Sequence, residues 1–349
     1  MRVLVTGNLG YIGTVLAPFL GNRGHEVRGL DVGYFDDCLL EPARGPVDQR
    51  WRDIRDVEDD DLEGMEAVVH LAGLSNDPLG EFDASLTEEI NLGGTLRLAD
   101  LARRAGVRRF VYASSQSMYG ISETDEELDE DRSAKNPLTA YARTKWEAEL
   151  ALMAGRAPGF EVTAMRPSTV FGSSARLRCD IVFNNLVASA YTSGAIEVKS
   201  DGTPRRPAVH VLDVCSAFTA GLEAPAGVVD GRAFNVGVDQ GNHTVRELAD
   251  TAGRVVPGSS VVYTGEHGSD SRTYTVGFSR ILTELADHYR PEWTLLAGGA
   301  ELCRLFDRVG FDGEAFRGST CNRLRRLEEM ASSGRLDGDL RRVDGRRSA

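Results

Sequence analysis

Along the first half of the chain, short runs of branched apolar residues alternate with segments whose apolar residues recur at helical spacing. A short continuous apolar run indicates a strand buried on both faces, and recurrence every three to four residues indicates a helix with one buried face. The alternation predicts an α/β fold with a parallel, doubly wound sheet. Strands are predicted at residues 2–6, 25–31, 67–73, 109–113 and 161–166, and helices after Gly13, at 86–105 and at 140–154.

The first predicted strand leads into a turn with a glycine at every third position, Gly7, Gly10 and Gly13. A strand, a glycine turn and a helix in this order present a helix N-terminus and bare backbone N–H groups to a pyrophosphate. Gly7 is expected to make the turn, Gly10 to let the phosphates approach, and Gly13 to let helix and strand pack closely. The N-terminal segment is therefore predicted to bind a dinucleotide in a Rossmann-type fold.

Asp31 ends the second predicted strand and lies 18 residues after Gly13. A carboxylate near this distance binds the adenosine ribose hydroxyls of NAD and repels the 2′-phosphate of NADP. Arg28 leaves an alternative open, because a nearby arginine can accept that phosphate. The sequence predicts NAD as the cofactor.

The character of the chain changes after residue 172, where a segment rich in Asn, Ala and Val and a polar loop follow. A strand at 209–213 with its following helix, and a strand at 234–237, are interpreted as a return to the main sheet. The prediction is a Rossmann-type domain with a smaller, interleaved C-terminal substrate lobe. The domain comprises residues 1–172 with 208–237 returning to it, and the lobe and tail comprise 173–207 and 238–349.

Composition and charge exclude several classes of protein. The 349 residues are 41% hydrophobic and 27% charged, which is ordinary for a globular protein. The net charge of −13 argues against binding to nucleic acid, and no apolar run is long enough to cross a membrane. Five cysteines, far apart and without metal-ligand spacing, predict reduced thiols, no metal site and a cytoplasmic location.

Tyr141 and Lys145 lie four residues apart on a predicted helix and therefore share one face. Ser115 follows the end of a predicted strand. Together they form a pattern suited to hydride transfer, because the phenol can take a proton from a sugar hydroxyl while NAD removes the hydride. The pKa of a phenol, near ~10, is expected to fall beside an ammonium and a positive nicotinamide. Ser115 is expected to hydrogen-bond the same oxygen.

Several motifs, taken together and in this order, resemble the extended short-chain dehydrogenase/reductases, and specifically the NAD-dependent sugar-nucleotide epimerase/dehydratase family. The resemblance covers nearly the whole chain. It implies an enzyme that acts on a nucleotide sugar. The motifs are Thr6-Gly7-x-x-Gly10-x-x-Gly13, Asp53-Ile54-Arg55-Asp56, His70-Leu71-Ala72-Gly73, Asn91 with Gly94-Thr95, Ser114-Ser115-x-x-x-Tyr119-Gly120, Tyr141-x-x-x-Lys145, Arg166-Pro167 and His210-Val211-x-Asp213.

The resemblance also implies roles for individual residues. The catalytic residues are Ser115, Tyr141 and Lys145. The implied substrate contacts are Ser115, Gln116, Ser117, Asn184, Asn185, Arg206 and Arg272, with the two arginines on the diphosphate. A homodimer through the helices at 86–105 and 140–154 is implied as well. The implied NAD contacts are Gly7, Gly10, Tyr11, Ile12, Gly13, Asp31, Asp53, Ile54, Leu71, Ala72, Gly73, Asn91, Tyr141, Lys145, Arg166 and Ser168.

Departures from the family pattern bear on the reaction. Gln116 and Ser117 stand where the 4,6-dehydratases of this family carry Asp and Glu. Pro207 and Gly277 replace acidic residues that are common in relatives, on the substrate side. The sequence favours a 4-epimerase that oxidises the sugar transiently and returns the hydride. The alternatives are a ketoreductase or dehydratase on the same substrates, or an NAD-binding sensor or complex subunit without turnover.

Overall fold

A computed structural model describes residues 1–42, 48–121, 126–266 and 273–343. Its centre is a seven-stranded parallel sheet in the order β10-β6-β5-β4-β1-β2-β3, which confirms the predicted α/β fold. The strands of this sheet are β1 Arg2–Thr6, β2 Glu26–Asp31, β3 Asp48–Trp51, β4 Ala67–His70, β5 Arg109–Ala113, β6 Glu161–Pro167 and β10 Arg232–Val236. The remaining strands are β7 Thr169–Phe171, β8 Ala195–Val198, β9 Arg205–His210, β11 Asn242–Thr244 and β12 Ser260–Tyr263.

Helices cover both faces of the main sheet. Successive side chains of β1 point to opposite faces, so Val3 packs in the core with Leu16, whereas Leu4 packs in the core with Leu98. The helices are α1 Gly13–Asn22, α2 Asp77–Gly80, α3 Ala84–Thr87, α4 Gly94–Arg104, α5 Ala140–Ala154, α6 Val182–Ser193 and α7 Val211–Glu223. They continue with α8 Ala226–Val229, α9 Val245–Val255, α10 Ser279–Glu284, α11 Leu295–Val309, α12 Gly313–Arg317 and α13 Arg323–Ser332. Within the described ranges, no helix combines the length and apolar character needed to span a bilayer.

The order in which the chain adds strands to the main sheet reverses beside β1. The chain lays β2 and β3 on one side of β1 and then returns to place β4 on the other side. In a sheet of this kind a crevice opens at the carboxyl ends of the strands where the order reverses, and ligands bind there. The topology therefore puts the glycine turn after β1 at the position for a dinucleotide.

The helix predicted at 86–105 is interrupted in the structure. α3 is followed by a π-helical turn at Glu88–Gly93 before α4 begins. In this turn Asn91 is buried, its side-chain oxygen accepts from the Leu74 amide at 2.8 Å, and its nitrogen donates to the Leu74 carbonyl at 3.0 Å. The wider turn thus coincides with a tertiary anchor for the loop after β4.

The return to the main sheet predicted for 208–237 is only partial. β9 forms a separate three-stranded sheet with β7 and β11, so the prediction of a main-sheet strand at 209–213 was wrong. The position beside β6 is taken by β10, while α7 packs across β5 and β6. β8 and β12 form a further two-stranded sheet in the second lobe.

The segment at 323–343, which we call the C-terminal strap, packs on the dinucleotide-binding half, although the sequence assigned it to the substrate lobe and tail. Leu327 and Leu340 are buried in one core with Leu30 and Ile54. The strap therefore closes over the side of the sheet that carries β2 and β3.

Candidate active site

A cavity lies at the carboxyl ends of β1, β2 and β4, where the topology predicts a ligand. It includes eleven of the residues expected to contact NAD: Gly7, Gly10, Tyr11, Ile12, Gly13, Asp31, Asp53, Ile54, Leu71, Ala72 and Gly73. We call it the dinucleotide cavity.

The turn leaves no room for a side chain at Gly7 or at Gly13. Gly7 has a φ of +71°, and a Cβ there would lie 2.8 Å from the Ala72 nitrogen. A Cβ on Gly13 would lie 2.2 Å from the Gly7 carbonyl oxygen. The N-terminus of α1 thus meets the cavity through bare backbone, and the residues present fit the pyrophosphate of a dinucleotide.

Asp31 lines this cavity and is held in place by backbone amides. Its two carboxylate oxygens accept from Leu9 N at 3.1 Å and from Gly33 N at 2.8 Å, while burial raises its pKa. Arg28, the alternative partner for a 2′-phosphate, points elsewhere: its Nε donates to Asp48 at 2.7 Å, and it does not line the cavity. Asp31 therefore lines the cavity and Arg28 does not, and the contact between Asp31 and the ribose stays a prediction.

We expect the wild-type protein to bind NAD more than about tenfold more tightly than NADP, because the 2′-phosphate would approach the Asp31 carboxylate. Asp31→Asn should narrow this ratio, since it removes the charge and keeps the shape. Calorimetric titration of both dinucleotides measures the ratio. Equal affinities in the wild type would contradict the role of Asp31.

A second cavity adjoins the first at the carboxyl ends of β5 and β6, and we call it the substrate cavity. Tyr11, Ile12, Leu71, Gly73, Ser75 and Arg178 line both cavities, so the two form one continuous cleft. The predicted residues that line the substrate cavity are Ser115, Gln116, Ser117, Tyr141, Lys145, Ser168 and Arg206.

The predicted catalytic trio meets in the substrate cavity. The Ser115 oxygen accepts from the Ser117 amide at 3.1 Å and from the Ser117 hydroxyl at 2.9 Å, which leaves its own proton free to donate into the cavity that Tyr141 also lines. Lys145 is buried and donates to the Ala113 carbonyl oxygen at 2.8 Å. The carboxyl end of β5 thereby positions both Ser115, which follows it in the chain, and Lys145, which bonds to its last carbonyl.

Burial has a larger effect than neighbouring charges on the pKa values of Tyr141 and Lys145. It raises the pKa of Tyr141, with a further rise from Asp77, while Ser115 and Arg178 act in the opposite direction. Burial also lowers the pKa of Lys145 to about 8. The sequence predicts a lowered tyrosine pKa, and the polypeptide alone gives a raised one, because the cost of burying the phenolate outweighs the charges around it.

Comparison with known proteins places the chain in a family. Residues 3–237 match the model of the NAD dependent epimerase/dehydratase family. The chain belongs to this family. The resemblance drawn from the motifs is therefore confirmed, and the protein is an enzyme whose cofactor is NAD.

Relatives of this epimerase/dehydratase act on more than one kind of substrate. A UDP-glucose 4-epimerase of Mycolicibacterium smegmatis is 33% identical over 264 residues, 71% of this chain and 80% of the relative. A 3 beta-hydroxysteroid dehydrogenase/Delta 5-->4-isomerase of Mycobacterium tuberculosis H37Rv is 35% identical over 250 residues, 67% of this chain and 64% of the relative. The solved structure of MoeE5 with UDP-glucose and NAD has a TM-score of 0.76 at 26% identity, covering 89% of this chain and all (100%) of MoeE5.

Four residues expected to contact ligands do not line either cavity of this epimerase/dehydratase. Asn91 anchors the loop after β4, as described above. The Arg166 guanidinium is buried against Glu149, with Nε donating to a carboxylate oxygen at 3.0 Å. Asn184 is buried and donates to the Tyr11 hydroxyl at 3.2 Å, and Asn185 donates to the Cys179 carbonyl at 2.8 Å. In this structure their side chains therefore bond within the protein, and their contacts with ligands stay a prediction.

The sequence reasoning missed polar residues that do line the cleft. Arg178 contacts both cavities and pairs with Asp180 at 2.9 Å. Asn76 has a φ of +79°, rare outside glycine, and presents the loop before α2 to the substrate cavity. The charges at Arg176, Arg178 and Asp180 at alternate positions were the available signal. Arg272, expected to contact the substrate, lies outside the described residues.

Proposed function

We propose that the enzyme is a nucleotide-sugar 4-epimerase, which oxidises the C4 hydroxyl transiently and returns the hydride to the opposite face of the keto sugar. The observation that carries the proposal is the immobilised side chain at the position of the dehydratase acid. Gln116 lines the substrate cavity and is buried, its amide nitrogen donates to the Arg166 carbonyl at 2.9 Å, and its side-chain oxygen is buried without a hydrogen-bond partner.

Loss of the 6-hydroxyl requires a base at C5 and an acid for the departing water. The Gln116 amide cannot deliver a proton at neutral pH, and the Ser117 hydroxyl is committed to Ser115 at 2.9 Å. Asp77 and Asp180 also line the cavity, but Asp77 accepts from Thr139 at 2.6 Å and Asp180 pairs with Arg178. Epimerisation needs none of these groups, so the arrangement favours it over dehydration.

The trio supplies the proton transfers that epimerisation requires. Tyr141 accepts the proton of the C4 hydroxyl, and the Ser115 hydroxyl donates to the same oxygen as charge develops. Bound NAD supplies the acceptor and donor of the hydride. Tyr141 then returns the proton after the keto sugar has turned over in the cavity.

The polar lining favours a nucleotide sugar over a steroid. The cavity that Tyr141 lines is also lined by four polar residues, Arg178, Arg206, Asn76 and Ser117. A flat apolar ligand would displace water from these polar groups and offer them no hydrogen bond in return, which is costly in a buried site. A diphosphate and sugar hydroxyls would satisfy them.

Turnover in deuterated water with catalytic NAD tests the proposal. UDP-glucose is offered first, then other nucleotide sugars, then a 3β-hydroxysteroid. A 4-epimer without deuterium at C5 supports the epimerase. A 4-keto-6-deoxy product that carries deuterium indicates a dehydratase, and stoichiometric NADH indicates a net oxidoreductase. Absence of turnover on every substrate would favour the sensor or complex-subunit alternative.

Arg206→Ala should raise the KM for the nucleotide sugar by about one to two decades, because a charged hydrogen bond is worth roughly 1.5–3 kcal/mol. The neighbouring Arg205 is exposed and does not line the cavity, so Arg205→Ala is the matched control. NAD affinity should stay unchanged in both variants. A loss of NAD affinity in Arg206→Ala would move the residue out of the substrate site. We propose the same diphosphate role for Arg272.

We propose that the enzyme forms a homodimer through α4 and α5. These helices pack together and expose Leu96, 40% accessible, and Leu150, 49% accessible. The double variant Leu96→Glu/Leu150→Glu should be monomeric by light scattering, whereas Leu296→Glu, at an exposed leucine on α11, should leave the dimer intact. An unchanged mass in the double variant would contradict this interface.

The five free cysteines support a reducing, cytoplasmic location.

A further inference from the structure

One wall of the dinucleotide cavity carries a buried arginine without a counter-ion. Arg323, the first residue of α13, is 2% exposed and lines the cavity. Its Nη2 donates to the Arg176 carbonyl at 3.0 Å, and its guanidinium carbon lies 4.4 Å from the centre of the Phe35 ring. Its Nη1 has no hydrogen-bond partner. No carboxylate of the described residues lies within ion-pair distance of it.

The electrostatic surroundings compensate this charge only in part, and none of the acidic groups that act on it forms an ion pair with it. Burial is the main influence on Arg323 and lowers its pKa to about 10, and the neighbouring Arg178 and Arg176 add positive charge. Asp180, an acidic side chain that acts on it, is already paired with Arg178 at 2.9 Å. Asp31 also acts on Arg323 electrostatically, but its two carboxylate oxygens accept hydrogen bonds from backbone amides rather than from the guanidinium. An unpaired buried cation is costly, so the site is built for an anion.

We propose that Arg323 binds the pyrophosphate of NAD, together with Arg178 and across the cavity from the N-terminus of α1. The same cavity is lined by Gly10, Gly13, Arg178 and Arg323, so it offers an anion both backbone N–H groups and guanidinium groups. A planar guanidinium matches two phosphate oxygens at once. Arg323 lies outside residues 3–237, the part of the chain that matches the family model.

The C-terminal strap holds Arg323 in this place. Tyr34 donates to the Leu340 carbonyl at 2.6 Å, and Arg55 donates to the Asp339 carbonyl at 2.8 Å. Arg326 forms an ion pair with Asp37. These contacts surround the adenosine end of the cavity, so the strap both covers that end and supplies a phosphate ligand.

Calorimetry on the protein freed of nucleotide tests the proposal with three probes: NAD, ADP-ribose, which keeps the pyrophosphate, and adenosine, which lacks it. Arg323→Met should weaken NAD and ADP-ribose about 10- to 100-fold and leave adenosine unchanged. Arg325→Met is the matched control, because Arg325 lies on the same helix with its side chain 58% exposed. It should bind all three probes as the wild type does.

Thermal unfolding separates a ligand role from a structural one. Without nucleotide, Arg323→Met should melt at or above the wild-type temperature, because it removes an unpaired buried charge. The rise in Tm on adding NAD should be smaller than in the wild type. Unchanged ADP-ribose affinity, an equal loss for adenosine, or a lower Tm without nucleotide would each overturn the proposal. None of these readouts depends on epimerase turnover.

Discussion

Replacing Tyr141 with Phe is expected to lower turnover by roughly 10²- to 10⁴-fold, the range over which positioned acid–base groups contribute. The change removes only the hydroxyl that exchanges a proton with the sugar. Lys145 bonds to the Ala113 carbonyl rather than depending on the phenol, so its position should persist. NAD affinity should therefore stay within a factor of about two.

Initial rates and NAD titration on the same preparation measure this result. Tyr263→Phe is the matched control, because Tyr263 is on β12 in the second lobe and its hydroxyl bonds to Asp250 at 2.9 Å. The control should turn over at the wild-type rate. A Tyr141→Phe enzyme within a few-fold of wild type would show that another group takes the proton.

Replacing Glu149 with Leu is expected to destabilise the protein by about 3–5 kcal/mol, the usual cost of removing one partner of a buried ion pair. The Glu149 and Arg166 side chains are each 3% exposed. Glu149 also accepts from the Ser114 hydroxyl at 2.6 Å, and Arg166 donates to the Tyr119 hydroxyl at 3.1 Å. The variant would strand a buried cation beneath the loop that carries Ser115.

Denaturant unfolding measures the loss of stability in Glu149→Leu. Two further variants show what causes it. Glu147→Leu, on the same helix and without an ion pair among the described contacts, should change stability by less than about 1 kcal/mol. The double variant Glu149→Leu/Arg166→Met should recover much of the loss, because no charge is left buried. A double variant as unstable as Glu149→Leu would mean that lost packing, rather than the stranded charge, sets the cost.

Arg178 links the two halves of the cleft. It lines both cavities and is among the charges that favour the phenolate of Tyr141. Its hydrogen bond to Ser75 at 3.0 Å ties it to the loop after β4. The charge of Arg178 would therefore act both on the pyrophosphate that we propose for the dinucleotide cavity and on the phenolate of Tyr141.

The sequence by itself determined the parts of this protein that depend on local spacing. Three glycines in seven residues allow the positive φ and close backbone approach of a tight turn before α1, and the structure shows that a side chain at Gly7 or Gly13 would collide with backbone. Apolar runs separated by helical segments led to the parallel sheet, and a four-residue interval put Tyr141 and Lys145 on one helical face. Each of these follows from dihedral limits and helical periodicity.

Only the tertiary structure decided what the polar residues contact. Arg166 and Asn91 lie in motifs of the family, and Asn184 was expected to contact the substrate, yet each side chain bonds to a buried partner within the protein. Arg323 carries no motif, yet folding brings it to the dinucleotide cavity beside residues almost 300 positions earlier in the chain. A guanidinium or amide can serve a ligand or a carboxylate equally well. Which one it meets depends on packing between distant segments, and local spacing does not encode that.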